Sequence, residues 1–279
     1  MNEAGIKTVE VAANAFAFIQ SGGRTNAGFL VGEEGVTVVD SLFPDVAGML
    51  MAEIRKVTSK PIRHLINTHH HGDHTLSNCL YLPAAIISHA NCYRILQERF
   101  QDLIQSFGNR PGMAEHARGL RPALPDFTFE RETDLHIDER LVQLRYLGKA
   151  HTDNDIAVYL PEEKLLFAGD LAFNNSMPAA HNAYVTAWVQ VLAKLDSWEI
   201  TTVVPGHGNL GSKEELKALR DFFIKVERDA RQCFEGGVPA EEAAKQIMPA
   251  EAKSWSQDGP YGFPYVVQRL YAEFRGELK

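Results

Sequence analysis

Between Thr68 and His74 the chain reads Thr-His-His-His-Gly-Asp-His, four imidazoles and one carboxylate directly after the short apolar run His64 to Asn67. Protonation would make such a cluster repel itself, and a divalent cation is the usual physical reason to concentrate these donors. On an extended segment His69 and His71 point to one side, while Gly72 lets the chain turn before Asp73 and His74. That geometry serves two adjacent ions better than one. His70 faces the other way and is expected to support the site rather than ligate. Taken alone, the segment also fits a solvated His-rich loop.

Three distant segments weaken that alternative. Gly148-Lys149-Ala150-His151-Thr152 follows a strand-like run ending at Leu147, Phe167-Ala168-Gly169-Asp170 closes one starting at Lys164, and Val204-Pro205-Gly206-His207-Gly208 closes one starting at Thr202. Each places one donor beside a small residue at the C-terminal end of a strand, where the loops of a sheet protein converge.

The rest of the chain supplies the sheets. Ala15 to Gln20, Ala27 to Val31 and Val36 to Asp40 are β-type runs separated by turn residues, which predicts an antiparallel meander. Val46 to Val57 has apolar residues at helical spacing. A strand is expected from Leu82 to Ser88 and a helix from Asn91 to Phe107. The aperiodic stretch Gly108 to Pro125 suggests a lid or pocket wall. The second half repeats the theme, with strands at Leu141 to Leu147, Ile156 to Leu160, Lys164 to Ala168 and Thr202 to Val204, and a helix at Ala183 to Trp198. Helices then follow at Lys213 to Arg228, Ala240 to Ile247 and Tyr265 to Arg275. Two strand-rich blocks that each end in helix predict two packed sheets with helices outside. With no linker between them, residues 1–279 read as one domain, with 213–279 a helical extension packed on it.

Composition narrows the function. With 28 Lys plus Arg against 36 Asp plus Glu, the formal charge is −8, and no basic run exceeds two residues, which argues against nucleic acid as a partner. No stretch approaches the roughly 18 consecutive apolar residues of a membrane span, and the N-terminal stretch lacks the basic start and apolar core of a secretory signal. The expected setting is cytoplasmic, with no membrane partner. Cys79, Cys92 and Cys233 are an odd number of thiols without CxxC spacing and read as free. A small-molecule substrate is expected, and a homo-oligomer is compatible with the sequence.

At these residues the chain resembles the metallo-β-lactamase-fold hydrolases, over about residues 14–212. The resemblance rests on Thr68 to His74, His151, Asp170 and His207 in their order and spacing, and on Asn26 to Asp40, which is similar to the superfamily's opening hairpin. It implies an αββα sandwich of two mixed β-sheets with outer helices, an α/β fold with the site at one edge. Carried over residue by residue, it implies that His69, His71 and His151 bind one metal, that Asp73, His74 and His207 bind a second, and that Asp170 bridges them. The implied cofactors are two divalent ions; zinc suits the donors, and iron and manganese tolerate them. Two cations sharing a water would give a bridging hydroxide at neutral pH. Asp73 is the expected catalytic residue, orienting that nucleophile and passing its proton to the leaving group.

Within the superfamily, a bridging Asp170 beside His74 resembles the glyoxalase II-like, lactonase and ribonuclease Z-like branches, whereas class B1 β-lactamases place Cys where Asp170 stands. Phe167 to Asn174 and Val204 to Gly208 look most like small-molecule metallohydrolases near glyoxalase II and the quinoprotein-associated hydrolases. The expected reaction is hydrolysis of an ester, lactone or thioester. The alternatives are β-lactamase activity, a mononuclear iron persulfide dioxygenase, and a non-catalytic metal-binding protein. His181 and Asn175, in a polar loop after Asp170, are candidates to face substrate, and Phe100, Phe107 and the 108–125 stretch to shape the pocket. His64, His89, His116 and His136 fit no metal pattern and read as structural.

Overall fold

The computed structural model describes residues 5–257 and 260–278. The opening residues of the N-terminal stretch, 1–4, lie outside the described residues. Twelve strands among the described residues form two sheets.

The first sheet runs in chain order, β1 (Ile6–Ala12), β2 (Ala15–Gln20), β3 (Ala27–Val31), β4 (Val36–Val39), β5 (Ile62–Ile66), β6 (Ala85–His89) and β7 (Phe127–Phe129). Its first three pairings are antiparallel, with short turns between β1 and β2 and between β3 and β4 and a six-residue loop between β2 and β3. The next three are parallel, because α1 (Pro44–Val57) and later α3 (Ala90–Gly108) return the chain across one face. The predicted meander and helices stand. Strands β1 and β7 were not anticipated, since β1 alternates polar with half-buried residues and β7 has only three residues.

The second sheet has the order β12-β11-β10-β9-β8, with β8 (Glu132–Ile137), β9 (Arg140–Tyr146), β10 (Ile156–Leu160), β11 (Leu165–Asn174) and β12 (Thr202–Gly208). Only β11 and β12 pair in parallel, across α5 (Val185–Asp196). The sheets meet face to face through Leu30, Val39, Ile66, Val158, Leu165 and Phe167. Beyond the first sheet, α1 buries Val46, Ala47, Leu50 and Ile54. Beyond the second, α5 packs with α6 (Lys213–Glu235), α7 (Ala240–Ile247) and α8 (Phe263–Phe274) around fully buried Trp188 and Phe223. The layers are therefore helix, sheet, sheet, helix, as expected. No helix among the described residues is long and apolar enough to cross a membrane.

Helix α6 runs further than its predicted end at Arg228, and its start is fixed by a capping box in which the Ser212 hydroxyl and the Glu215 carboxylate satisfy each other's backbone N–H groups. The stretch after α3 is not wholly irregular: a single turn, α4 (Ala114–Ala117), and Leu120 and Leu124 pack beneath α3 with Leu96 and Phe107. Among the described residues all three cysteines are free thiols, Cys92 buried and the others half-buried.

Candidate metal centre

The predicted donors converge at one edge of the sandwich. His69 and His71 leave the end of β5, and the turn α2 (Gly72–Thr75) then brings Asp73 and His74 to the same side. A buried network pins this turn: Asn67 and Asn78 exchange amide hydrogen bonds of 3.0 and 2.8 Å, Asn67 Nδ2 also donates to the His74 carbonyl at 3.0 Å, and Thr75 Oγ1 donates to the His71 carbonyl at 2.9 Å.

Asp170 and His207 correct the sequence reading. They do not follow the ends of their strands but lie inside β11 and β12, where the pairing shifts register between Phe167 and Phe173, and both residues are buried. Two glycines make this possible. Gly169 takes a left-handed φ of +49° against Thr68, and a Cβ on Gly206 would lie 2.0 Å from Asp170 Oδ1.

Two donor groups result: His69, His71, His151 and Asp170, and Asp73, His74 and His207, with the ligand atoms of each group within 4.8 Å of one another. Asp170 faces both. Its Oδ1 is 3.2 Å from His74 Nε2, and its Oδ2 is 3.1 Å from His151 Nε2, 3.5 Å from His207 Nε2 and 3.9 Å from His69 Nε2. Asp73 Oδ2 lies 3.4 Å from His74 Nε2 and 3.3 Å from His207 Nε2, and accepts a 2.7 Å hydrogen bond from Thr25 Oγ1.

The outer partners select which imidazole nitrogen carries a lone pair into the site. His74 Nδ1 donates to Asp40 Oδ2 at 2.8 Å and His207 Nδ1 donates to the Gly23 carbonyl at 2.8 Å, so both present Nε2. His71 is reversed: its Nε2 donates to Asn182 Oδ1 at 2.9 Å, leaving Nδ1 2.9 Å from His151 Nε2. His69 Nε2, His74 Nε2 and Asp170 Oδ1 are buried without a hydrogen-bond partner. Leaving such atoms unpaired is costly unless something else satisfies them, and a borderline cation fits nitrogen and carboxylate donors of this kind.

The electrostatics agree. Burial opposes charge on His74, yet the carboxylates of Asp40, Asp73 and Asp170 overcome it and raise its pKa well above the usual range. Burial likewise opposes charge on His207, but Asp170 and Asp73 push it up to about 10. The counterpart is seen on Asp73 and Asp170, held well below the carboxylate range by neighbouring imidazoles despite burial. This half of the site calls for positive charge, in the form of protons or of a cation. In the other half, burial keeps His69 and His151 neutral and brings His71 down to about 4.

His70 takes no part in either group. Its ring turns away and its Nδ1 accepts from Asn154 Nδ2 at 2.9 Å. His181 stacks on His71, with centroids 4.7 Å apart, and on Tyr261 at 4.1 Å; it lines the cavity over the donors together with Arg110, Leu103 and Phe107. Asn175 is not brought there: it adopts a left-handed φ of 53°, its carbonyl accepts from Ser256 N, and it lines a separate cavity beside α6. Phe100, on α3, is buried in a cluster with Leu76, Leu96 and Phe107 rather than in the cavity wall. His89 caps α3 through Asn91 N.

Sequence reasoning missed Asp40, Thr25 and Asn182. Asp40 carried a signal, as a carboxylate directly after the apolar run Val36–Val39; Asn182 carried none. The C-terminal segment also reaches the site. The Tyr261 carbonyl accepts from Ala180 N, Arg269 donates to the carbonyls of Asn182 and Ala183, and Glu273 accepts from Val185 N and Thr186 N.

The model of the metallo-beta-lactamase superfamily matches residues 21–207. A linear primary-alkylsulfatase from a Pseudomonas strain is 23% identical over 87% of this chain and 54% of its own length, and a type 2 metallo-beta-lactamase from Bacteroides fragilis is 30% identical over 48% and 55%. The chain thus spans about half the length of these relatives. Among solved structures, a sec-alkylsulfatase from Pseudomonas sp. aligns with 98% of this chain and 51% of its own at a TM-score of 0.77 and 14% identity. A metallo-beta-lactamase from Pontibacter korlensis aligns with 78% and 99% at 0.65 and 17%. Sequence match, layered fold and convergent donors agree: the chain belongs to the metallo-beta-lactamase superfamily.

Proposed function

We propose that this hydrolase cleaves an ester, lactone or thioester of a small molecule at a pair of divalent ions, zinc being the ion that best suits the donors. His69, His71 and His151 would hold one ion, Asp73, His74 and His207 the other, with Asp170 shared. The observation that carries the reading is the Asp170 carboxylate, whose two oxygens face His74 on one side and His151 on the other at 3.2 and 3.1 Å. When bound, such ions polarise a carbonyl oxygen and supply an activated water at neutral pH.

The chain's own residues do the rest. Asp73, fixed by Thr25 and partly open to the cavity, orients the attacking water and carries its proton to the leaving oxygen or sulfur. His181, brought down to about 3 by burial and by His71, stays neutral and offers a ring nitrogen to substrate. Phe43, Leu103 and Phe107 give the cavity an apolar side that limits water.

The relatives support a hydrolytic reading, since an acyl-coenzyme A thioesterase from Gallus gallus, 22% identical over 74% of this chain, stands beside the alkylsulfatase and the β-lactamases. The alkylsulfatase match over 87% of the chain favours sulfate esters as a second substrate class. The free thiols favour a reducing, cytoplasmic setting.

The test is metal analysis of purified protein with a panel of acyl thioesters, lactones, aryl esters, alkyl sulfates, β-lactams and phosphodiesters. About two ions per chain and metal-dependent turnover of a carboxylic ester, lactone or thioester are expected. A metal-loaded sample inert toward the panel, or one that consumes oxygen with a persulfide, overturns the reading.

A further inference from the structure

The cavity over the donors is bounded on one side by a short aromatic stack. The Arg110 guanidinium lies 4.5 Å from the centroid of the Phe43 ring, and Phe43 stacks on Phe107 with centroids 4.9 Å apart. Arg94, Arg99 and Arg118, on the same stretch of chain, each pair with a carboxylate, whereas Arg110 has no ion pair among the described residues.

A second cavity shares Phe43, Phe107 and Arg110 with the first and adds Arg24, Thr25 and Asp45. Since Thr25 in its wall donates to Asp73, this cavity abuts the site directly. Its lining includes two arginines, Arg24 and Arg110, against one carboxylate, Asp45, whose Oδ1 is buried without a partner. On a chain of net charge −8, the lining of this second cavity is itself net positive, next to the donor cavity that carries Asp73 and Asp170. A guanidinium seated over an aromatic ring without an ion-pair partner keeps N–H donors for a ligand, and its fork of donors matches a carboxylate bidentately.

We infer, resting on the hydrolase reading above, that the substrate carries a terminal carboxylate at its far end, which Arg110 binds with Arg24 behind it while Phe43, Leu103 and Phe107 cover the intervening carbons. Arg110 then sets specificity by affinity and takes no part in bond cleavage.

The experiment is calorimetric titration of the metal-loaded protein with succinate, glutarate and adipate, each against the monocarboxylate of equal length, butyrate, valerate and hexanoate. One carboxylate of each ligand engages the donors; only a diacid has a second for Arg110. At least one diacid is expected to bind about tenfold or more tightly than its matched monoacid, the scale of one charge-assisted contact. That ratio should fall toward one in Arg110→Gln, survive in part in Arg110→Lys, and shrink with added salt. Equal affinities within every pair, or a diacid advantage that persists in Arg110→Gln, overturn the inference. The readout is binding, so a protein that turned over no ester would fail the hydrolase reading while the diacid ratio still decided this one.

Discussion

Asp40 Oδ2 lies 2.8 Å from His74 Nδ1 and, with Oδ1, also accepts from Thr68 Oγ1 and Thr68 N at 2.8 Å. One buried carboxylate therefore ties the end of β4 to the end of β5 and fixes the tautomer of His74. Removing it frees that ring and leaves the Thr68 N–H unpaired. Asp40→Ala is expected to weaken metal binding 10- to 100-fold, the usual scale for such an outer partner, and to do so mainly at the Asp73, His74 and His207 group. Equilibrium dialysis against zinc or cobalt reads this directly. Unchanged affinity at both groups would remove Asp40 from the site.

The two most contrasting positions in the histidine-rich segment and its partners are Asp170 and His70. Asp170→Ala removes the carboxylate shared by both donor groups and is expected to lose much of the bound metal and essentially all turnover. His70→Ala removes a ring bonded to Asn154 and no donor, so metal content should stay near that of the unaltered protein. Metal analysis of the two variants side by side checks both. Full activity in Asp170→Ala would contradict its bridging assignment.

Asp155 gives a pH prediction. Burial raises its carboxyl to about 7, against about 3.9 for an unfolded aspartate, although Thr152 N donates to Oδ2 at 2.6 Å. Between these values the folded state holds a proton that the unfolded state has lost, so the contribution of Asp155 to stability falls as pH rises from about 4 to 7 and is flat above. Asp155→Asn keeps an oxygen for Thr152 N and has no charge to bury. Denaturant unfolding of the metal-free forms should show the variant gaining on the unaltered protein as pH climbs through that window, by about 1.4 kcal/mol per pH unit at most. A difference independent of pH would mean that Asp155 is ionised in the folded state throughout.

The layered fold and the convergence of the seven candidate donors were legible because their signals are local: apolar runs of strand length, turn residues between them, and candidate donors set beside small residues where those runs stop. What escaped the sequence is set by tertiary contacts. Thr25 is an ordinary polar residue until β12 and α2 bring His207 and Asp73 to it. Asp40 reads as the close of a hairpin strand until β5 is paired alongside. Asn175 shows the converse, because proximity in sequence to His181 does not fix direction: its carbonyl is spent on Ser256, and the residue faces α6. The extension of β11 past Asp170 was hidden by Gly169, which reads as a strand end but serves as a bulge.

The C-terminal helix yields a last prediction, on how the first donor group is held. Asn182 Oδ1 accepts from His71 Nε2 at 2.9 Å and so turns the Nδ1 lone pair inward. Asn182 sits on a loop whose carbonyls are gripped by Arg269 of α8 and whose following helix is capped by Glu273. Asn182→Ala should lower metal affinity at the His69, His71 and His151 group by about 10-fold or more, with little loss of overall stability because no core side chain is removed. Arg269→Met should produce a smaller loss of the same kind, since it loosens the backbone that carries Asn182, and Arg269→Lys should restore part of it. Absorption spectra of the cobalt-substituted variants separate a changed coordination sphere from a merely less stable fold. Spectra and affinities identical to those of the unaltered protein, alongside a lowered melting temperature, would mean that α8 props up the sandwich without reaching the metal centre.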